Sequence, residues 1–359
     1  MRINSLKFKN FRNIKEIEIF PDKEMNVIFG ENAQGKTNII EGIWFFTGAK
    51  SFRGAKDEDL LNFNAQKGEI YCDFESQGVE KEITLEITDK RKAFLNGKPL
   101  KSPSKLAGIL NAIVFSPQDL RLLTDGPKLR RKFLDTAICQ LYPNYIEILR
   151  EYNRAVMQRN KIIKDIKKYP EINDILDSFE EKIAENGEKI IKYRLRYIEI
   201  LKEFIPKIYG GISGEKEVLE IEYIPSFKKL SLLENLKIKR SEDMYTAKTS
   251  VGPHRDDLEF KINGISAKNF GSQGQKRSIA LCLKLCEAEV IKKNTGESPI
   301  CLLDDIMSEL DFGRQNFILN HIKGMQTFLS CCDLNSVENL DKGKSFKINK
   351  GEIEKCISI

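Results

Sequence analysis

Eight consecutive residues, Gly30-Glu31-Asn32-Ala33-Gln34-Gly35-Lys36-Thr37, restrict the fold of this 359-residue chain more than any other feature. They match G-x-x-x-x-G-K-[ST], with the apolar run Met25-Asn-Val-Ile-Phe29 before them and a helical pattern over residues 37–47 behind. A strand, a glycine-rich loop and a helix in that order let backbone N–H groups wrap a phosphate, and the helix N-terminus adds partial positive charge. Lys36 is then set to reach the β- and γ-phosphates of a nucleotide, and Thr37 to put its hydroxyl on Mg2+. The following helix presents Ile39, Ile40, Ile43 and Phe46 on one packed side.

The apolar run Ile300-Cys301-Leu302-Leu303 ends in Asp304-Asp305. A buried strand ending in carboxylates complements a phosphate loop: Asp304 is the natural partner of the metal shell, and Asp305 sits where a base can orient water. Between the two lies Phe270-Gly271-Ser272-Gln273-Gly274-Gln275, directly before an amphipathic helix over residues 274–293. Small residues at a helix start make a second anion site, with Ser272, Gln273 and Gly274 as its candidates. One nucleotide can use both sites if they come from two subunits facing head to tail.

Along the chain, residues 2–9, 14–20, 25–29, 69–75, 79–88 and 91–95 read as strands, with Asn96-Gly97 as a hairpin turn. From Pro127 to about Tyr209 the pattern is helical, interrupted at Pro143 and at Tyr169-Pro170 and ending in Gly210-Gly211. Two helices of about 25–35 residues would be about 40–50 Å long, an antiparallel arm rather than a compact lobe. Strands and helices alternate again from about Tyr245, with strands at 257–262, 300–303 and 327–331 and a helix at 313–323. The expectation is an α/β ATPase divided into residues 1–120, an inserted helical arm over 121–245, and residues 246–359.

Composition narrows the class. Hydrophobic residues are 41% and charged residues 31%, which fits a globular chain, and no stretch approaches the about 18–20 apolar residues that cross a membrane. The eight cysteines include no C-x-x-C pair and are accompanied by two histidines, so they make neither a zinc site nor a disulfide framework. Cys282 and Cys286 fall four apart on an apolar helical pattern and read as buried thiols of a cytoplasmic protein. The net charge of +6 resides in residues 121–240, which hold 25 Lys/Arg and 19 Asp/Glu. Residues 121–168 alone carry a local +7. Such a run is either a solvated helix face or a footprint for a phosphate backbone. On the second reading the candidates are Arg130, Arg131, Lys132, Arg154, Arg159, Lys161, Lys164, Lys167 and Lys168, with Lys50, Arg53 and Lys56 extending the track. No aromatic-plus-basic pattern of the kind that stacks bases accompanies them, which favours duplex backbone over single-strand stacking.

Taken together, these residues resemble the SMC-like branch of the ABC-type ATPases, and within it the RecF family of bacterial replication and repair proteins. The likeness rests on the loop at 30–37 and on Val114-Phe-Ser-Pro-Gln-Asp-Leu-Arg-Leu-Leu123, where Gln118 is similar to the Q-loop glutamine. It extends through Thr249-Ser-Val-Gly-Pro-His-Arg-Asp-Asp257, the signature-like Gly271-Ser-Gln-Gly-Gln275, Asp304-Asp-Ile-Met-Ser-Glu-Leu-Asp311 and the opening Asn10-Phe-Arg-Asn13. The resemblance implies an ABC-type P-loop ATPase head with a β-rich N-terminal subdomain and an inserted α-helical arm. It implies ATP and Mg2+ as cofactors, Arg12 as a nucleotide contact, and Gln118 as a metal and catalytic residue. It also implies an ATP-dependent homodimer on duplex or gapped DNA that works with RecR and RecO to load RecA.

Two departures from the wider ABC pattern matter. Asp305 stands where a glutamate is usual, and Cys332 stands at the position of the switch histidine, where a thiol cannot sense a γ-phosphate as imidazole does. Both favour slow hydrolysis and a switch over a motor. A transporter's nucleotide-binding subunit would have a far shorter spacing between loop and signature, and no 80-residue helical insertion. A chromosome organiser would need coiled coils longer than this arm.

Overall fold

The computed structural model describes residues 1–63, 65–165, 173–227, 230–333 and 342–358. In chain order the strands and helices begin with β1 (Arg2–Phe11), β2 (Ile14–Ile19), β3 (Met25–Phe29), α1 (Lys36–Phe45), β4 (Gly68–Ser76), β5 (Val79–Ile87), β6 (Arg91–Leu95), β7 (Lys98–Pro99) and β8 (Ala112–Phe115). The middle of the chain forms α2 (Pro127–Leu141), α3 (Pro143–Asp165), α4 (Asn173–Ser213), β9 (Leu219–Ile224), α5 (Leu232–Ile238), α6 (Arg240–Thr246), β10 (Asp257–Ile262), β11 (Ile265–Ser266) and α7 (Ala267–Phe270). Then come α8 (Gln273–Thr295), β12 (Ile300–Asp304), α9 (Phe312–His321), β13 (Thr327–Cys331), β14 (Lys344–Asn349) and β15 (Glu352–Ser358). Among the described residues no helix is long and apolar enough to cross a membrane.

Two compact units result: residues 1–121, 211–215 and 277–359 form the first, and residues 122–210 with 216–276 form the second. Residues 246–276, which the sequence groups with the C-terminal ATPase part, thus belong to the unit that holds α2 and α3.

The first unit contains two six-stranded sheets. One is antiparallel, in the order β2-β1-β4-β5-β6-β7. Its strands alternate apolar and polar residues, as a sheet with one covered face requires. The other runs β15-β14-β3-β13-β12-β8 and is parallel from β14 to β8. β12 and β13 are buried at every position, the signature of strands covered on both faces. A single core joins Phe8 and Phe11 of β1, Ile39, Ile40, Ile43 and Phe45 of α1, and Ile28, Leu302 and Phe328 of the parallel sheet. The Phe11 and Phe45 rings meet edge to face at 6.2 Å.

In the second unit α2 packs on a three-stranded sheet, β11-β10-β9, so the inserted region is not a bare pair of helices. α4 is 41 residues long, about 60 Å at 1.5 Å per residue, and exceeds the expected helix. It runs through Gly210 and Gly211 rather than stopping there, and ends at Ser213. A Cβ at Gly211 would lie 2.5 Å from the Phe317 ring, so this glycine makes room for a neighbour rather than breaking the helix. The break expected at Tyr169-Pro170 lies outside the described residues.

Candidate functional site

The parallel sheet gathers the phosphate-site residues at one edge. Register aligns Phe29 with Cys331, Ser330 with Asp304, and Leu303 with Phe115. The loop of residues 30–37, Cys332, the Asp304-Asp305 pair and the turn carrying Gln118 therefore all follow the C-terminal ends of adjacent strands. Ligands of open α/β sheets bind at that edge.

The loop is fixed from several sides. Gly30 has φ +148°, and a Cβ there would lie 2.3 Å from the carbonyl oxygen of Ile348. Asn13 Nδ2 donates to the Ala33 carbonyl at 3.3 Å and its Oδ1 accepts from Asn38 Nδ2 at 2.8 Å. From the β14–β15 turn, Lys350 N donates to Gln34 Oε1 at 2.6 Å and Gly351 N to the Gln34 carbonyl at 3.0 Å. Asn32 Oδ1 accepts from the Cys332 thiol at 3.1 Å, and Glu31 is exposed. Lys36, only 6% exposed, turns its ammonium onto the loop's own carbonyls, Gly30 O at 2.6 Å and Glu31 O at 2.8 Å. A cation held inside a backbone cradle by carbonyl oxygens has its charge ready for phosphate oxygens, which bind it more strongly. The cradle fits a polyphosphate.

Asp304 lies at the end of β12, where its carboxylate accepts a hydrogen bond from Ser330 Oγ at 2.9 Å and has the Thr37 hydroxyl beside it. Burial pushes this carboxyl above its ordinary range, against the pull of those two hydroxyls. Thr37 thus brings the phosphate loop up to the acidic strand end. Asp305 N donates to Ser330 Oγ at 2.9 Å, and its φ of +50° turns the residue out of the strand path. Gln118 is exposed in a turn that Asp119 shapes by accepting from Ser116 N at 2.8 Å and Ser116 Oγ at 2.7 Å.

Arg12 Nη2 lies 2.6 Å from Glu41 Oε2, a fully buried carboxylate on α1 that also accepts from Ser51 Oγ. The expected nucleotide contact is therefore seated on the helix that follows the loop. In the second unit, Ser272 precedes α8 and pairs reciprocally with Gln275: Ser272 N donates to Gln275 Oε1 at 2.8 Å, and Gln275 N donates to Ser272 Oγ at 3.2 Å. This capping box leaves Ser272 and Gln273 exposed at the helix start.

The basic candidates divide. Lys50, Arg53, Lys56, Lys132, Arg154, Lys161 and Lys164 are exposed, although Lys56 pairs with Glu58 at 3.0 Å and Arg53 donates to Asn38 Oδ1 at 3.2 Å. Lys167 and Lys168 lie outside the described residues. Arg130 and Arg159 are not phosphate contacts. Arg130 is buried in a bidentate pair with Asp257 at 2.6 and 3.0 Å, and donates to the carbonyls of Leu122 and Asp125. Arg159 is fully buried between Glu180 at 2.8 Å and Asp243 at 2.7 Å. Arg131 is half-buried, with Nη1 donating to the Asp256 carbonyl at 2.6 Å.

Sequence reasoning missed Asn13, Ser330 and the Lys350–Gly351 turn as supports of the site. Ser330 had one signal, a hydroxyl inside the apolar run Thr-Phe-Leu-Ser-Cys. The others are legible only once the strands are paired.

Over residues 2–354 the chain matches the family model for the RecF/RecN/SMC N terminal domain. It is 39% identical over 358 residues to the DNA replication and repair protein RecF of Agathobacter rectalis, covering 99% of each chain. It is similar to the solved structure of the recombination mediator protein RecF-ATPrS in the RecFOR pathway, with TM-score 0.91, 36% identity, and 98% and 97% of the two chains covered. The corresponding RecF-ATP structure gives TM-score 0.90 and 35% identity, over 100% of this chain and 97% of that one.

Proposed function

The chain belongs to the RecF family, in the SMC-like branch of the ABC-type ATPases, and from that premise we propose that it closes on DNA as an ATP-gated clamp. It is an ATP-dependent DNA repair and recombination protein of the RecF type, and ATP is its nucleotide. The observation that carries the clamp reading is the register of the parallel sheet, which sets the ends of β3, β13 and β12, and so the phosphate loop and the Asp304-Asp305 pair, together at one edge.

In this reading backbone N–H groups of residues 30–37 and the Lys36 ammonium hold the phosphates, and Arg12, paired with Glu41 of α1, adds a further nucleotide contact. Bound Mg2+ would supply charge neutralisation to the phosphates. Thr37 and Asp304 would hold that ion, with Gln118 contributing from the neighbouring strand end. Asp305 orients the attacking water. One methylene shorter than glutamate, and with a thiol at position 332 in place of imidazole, the site suits slow hydrolysis that times release. Ser272, Gln273 and Gly274 of a second copy would face the γ-phosphate and make dimer closure depend on ATP. The exposed lysines and arginines then meet duplex or gapped DNA, and RecR and RecO act with the closed dimer to load RecA, a task of the bacterial cytoplasm.

Sedimentation with and without ATP and gapped DNA tests the clamp. ATP should convert monomer to dimer, DNA should join only the dimer, and Lys36→Ala should abolish both transitions. A monomer that binds gapped DNA equally well without ATP would overturn the reading.

A further inference from the structure

No role has been assigned above to the segment Thr249-Ser-Val-Gly-Pro-His-Arg-Asp-Asp257 of the second unit, yet it is fastened along its length. Gly252, at φ +120°, leaves no room for a Cβ, which would lie 2.5 Å from Tyr152 Oη. Gly252 N donates to Ser226 Oγ at 2.8 Å, and Arg255 N donates to the Gly252 carbonyl at 2.8 Å. His254 Nε2 donates to the Thr249 carbonyl at 3.1 Å, which leaves Nδ1 to accept from Tyr152 Oη at 2.6 Å. The two aspartates face inward. Asp256 is buried and accepts from Tyr223 Oη and from Ser226 N at 2.7 Å, while Asp257 is taken by Arg130.

Arg255 breaks this pattern. It is exposed, its Nε is seated on the Thr249 carbonyl at 3.0 Å, and among the described residues no carboxylate pairs with it. Arg130, Arg159 and Arg194 of the same unit are all buried against carboxylates. With Nε seated, the two terminal nitrogens have no protein partner among the described residues and are left to the oxygens of a phosphate, which a guanidinium fork can take bidentately. Arg131 is nearby, its Nη1 donating at 2.6 Å to the carbonyl of Asp256, the residue after Arg255. With Asp257 paired to Arg130 and Asp256 held by Tyr223 Oη and Ser226 N, the exposed Arg255 guanidinium puts positive charge on a rigid support, with Arg131 beside it. Little ordering remains to be done when an anion arrives.

We propose that Arg255, assisted by Arg131, is a phosphate-binding site built by the loop over residues 249–257. The phosphate comes either from the DNA backbone or from a nucleotide; the first source rests on the DNA-binding reading above, the second does not.

The test uses the full chain and two variants, Arg255→Gln and Arg255→Lys. Affinity for a short duplex DNA is measured over a salt series, and ATP binding, ATP-dependent dimerisation and hydrolysis are measured without DNA. If the backbone is the source, Arg255→Gln lowers duplex affinity about tenfold. The slope of log affinity against log salt then falls by about 0.9, with the ATP measurements unchanged. If a nucleotide is the source, the slope stays and dimerisation or hydrolysis falls by a similar factor. Wild-type behaviour in every measurement overturns the site. Should Arg255→Gln fail to fold, Arg255→Lys carries the test: its charge keeps the salt slope while loss of the fork weakens binding several-fold, and unchanged binding overturns the proposal. A wild-type chain that bound no DNA would sink the clamp reading alone, because the ATP measurements still judge Arg255.

Discussion

The Lys36 ammonium stands 3.8 Å from the Cys332 thiol, so the end of β13 touches the cation of the phosphate loop. Cys332 is exposed at that mouth, whereas Cys72, Cys282, Cys286, Cys301 and Cys331 are buried. Phosphates drawing Lys36 off its own carbonyls would cover the thiol. At ATP about ten times its dissociation constant, maleimide labelling of Cys332 should slow by about tenfold, in proportion to occupancy. Exposed Cys356 is the internal control and should label at one rate throughout. Equal protection of both thiols, or of neither, would contradict the placement of the nucleotide.

Asp305→Asn separates chemistry from binding. Asparagine tolerates the left-handed backbone at φ +50°, and the Asp305 N to Ser330 Oγ bond survives the change. ATP binding and dimer formation should persist while hydrolysis falls by about 10²-fold, the usual scale for a lost general base. If the dimer fails as well, Asp305 is structural or holds the metal.

Ser272 has two roles that substitution can part. Ser272→Ala removes the cap of α8, at a stability cost of about 1 kcal/mol, but adds no bulk. Ser272→Arg removes the cap and also obstructs the helix start. Both should bind ATP as monomers, and only Ser272→Arg should fail to dimerise in analytical ultracentrifugation. Dimers from Ser272→Arg would exclude a composite site.

His254 predicts a pH dependence of stability. Burial lowers its pKa from 6.5 to about 4, aided by Arg255 and Arg131 and opposed by the Thr249 carbonyl and Asp243. Between those values the unfolded chain binds a proton that the folded chain refuses, so stability rises with pH. The contribution is fully present above about pH 6.5 and falls by about 3 kcal/mol as pH drops to 4. Urea unfolding of wild type and His254→Gln at pH 7.5 and 4.5 gives the difference. A gap between the two proteins that does not narrow at the lower pH would remove His254 as the cause.

Legibility in the sequence followed the range of the interactions. The loop at 30–37 needs only its own spacing and its flanking strand and helix, and Asp304-Asp305 only the apolar run before it. The leucine and isoleucine alternation of β9, Leu-Glu-Ile-Glu-Tyr-Ile, was present in the sequence but overshadowed by the helical stretch before it. The four residues of β8 carry too little pattern to stand out. What no local pattern could show is which cations are interior. Arg130 meets a carboxylate 127 residues away and Arg159 one that is 84 residues away, so a run of positive charge conceals core residues among surface ones.

That distinction is open to direct measurement. Arg159 donates Nε and Nη2 to Glu180 and Nη1 to Asp243 and Thr249, with all three charged side chains fully buried. Removing one partner of such a pair leaves uncompensated buried charge, typically a loss of about 3–5 kcal/mol. Arg240 still neutralises Glu180 at 2.5 Å, so the stranded group in Arg159→Met is Asp243. This variant should unfold at markedly lower urea. Below that midpoint its DNA salt slope should match wild type, because Arg159 reaches no solvent. Lys161→Gln and Lys164→Gln together should do the reverse, keeping the unfolding midpoint and lowering the slope by up to about 1.8, at about 0.9 per phosphate lost. If the lysine pair leaves the slope unchanged, this helix face is only solvated; if folded Arg159→Met lowers it, the arginine is not the core residue its partners make it.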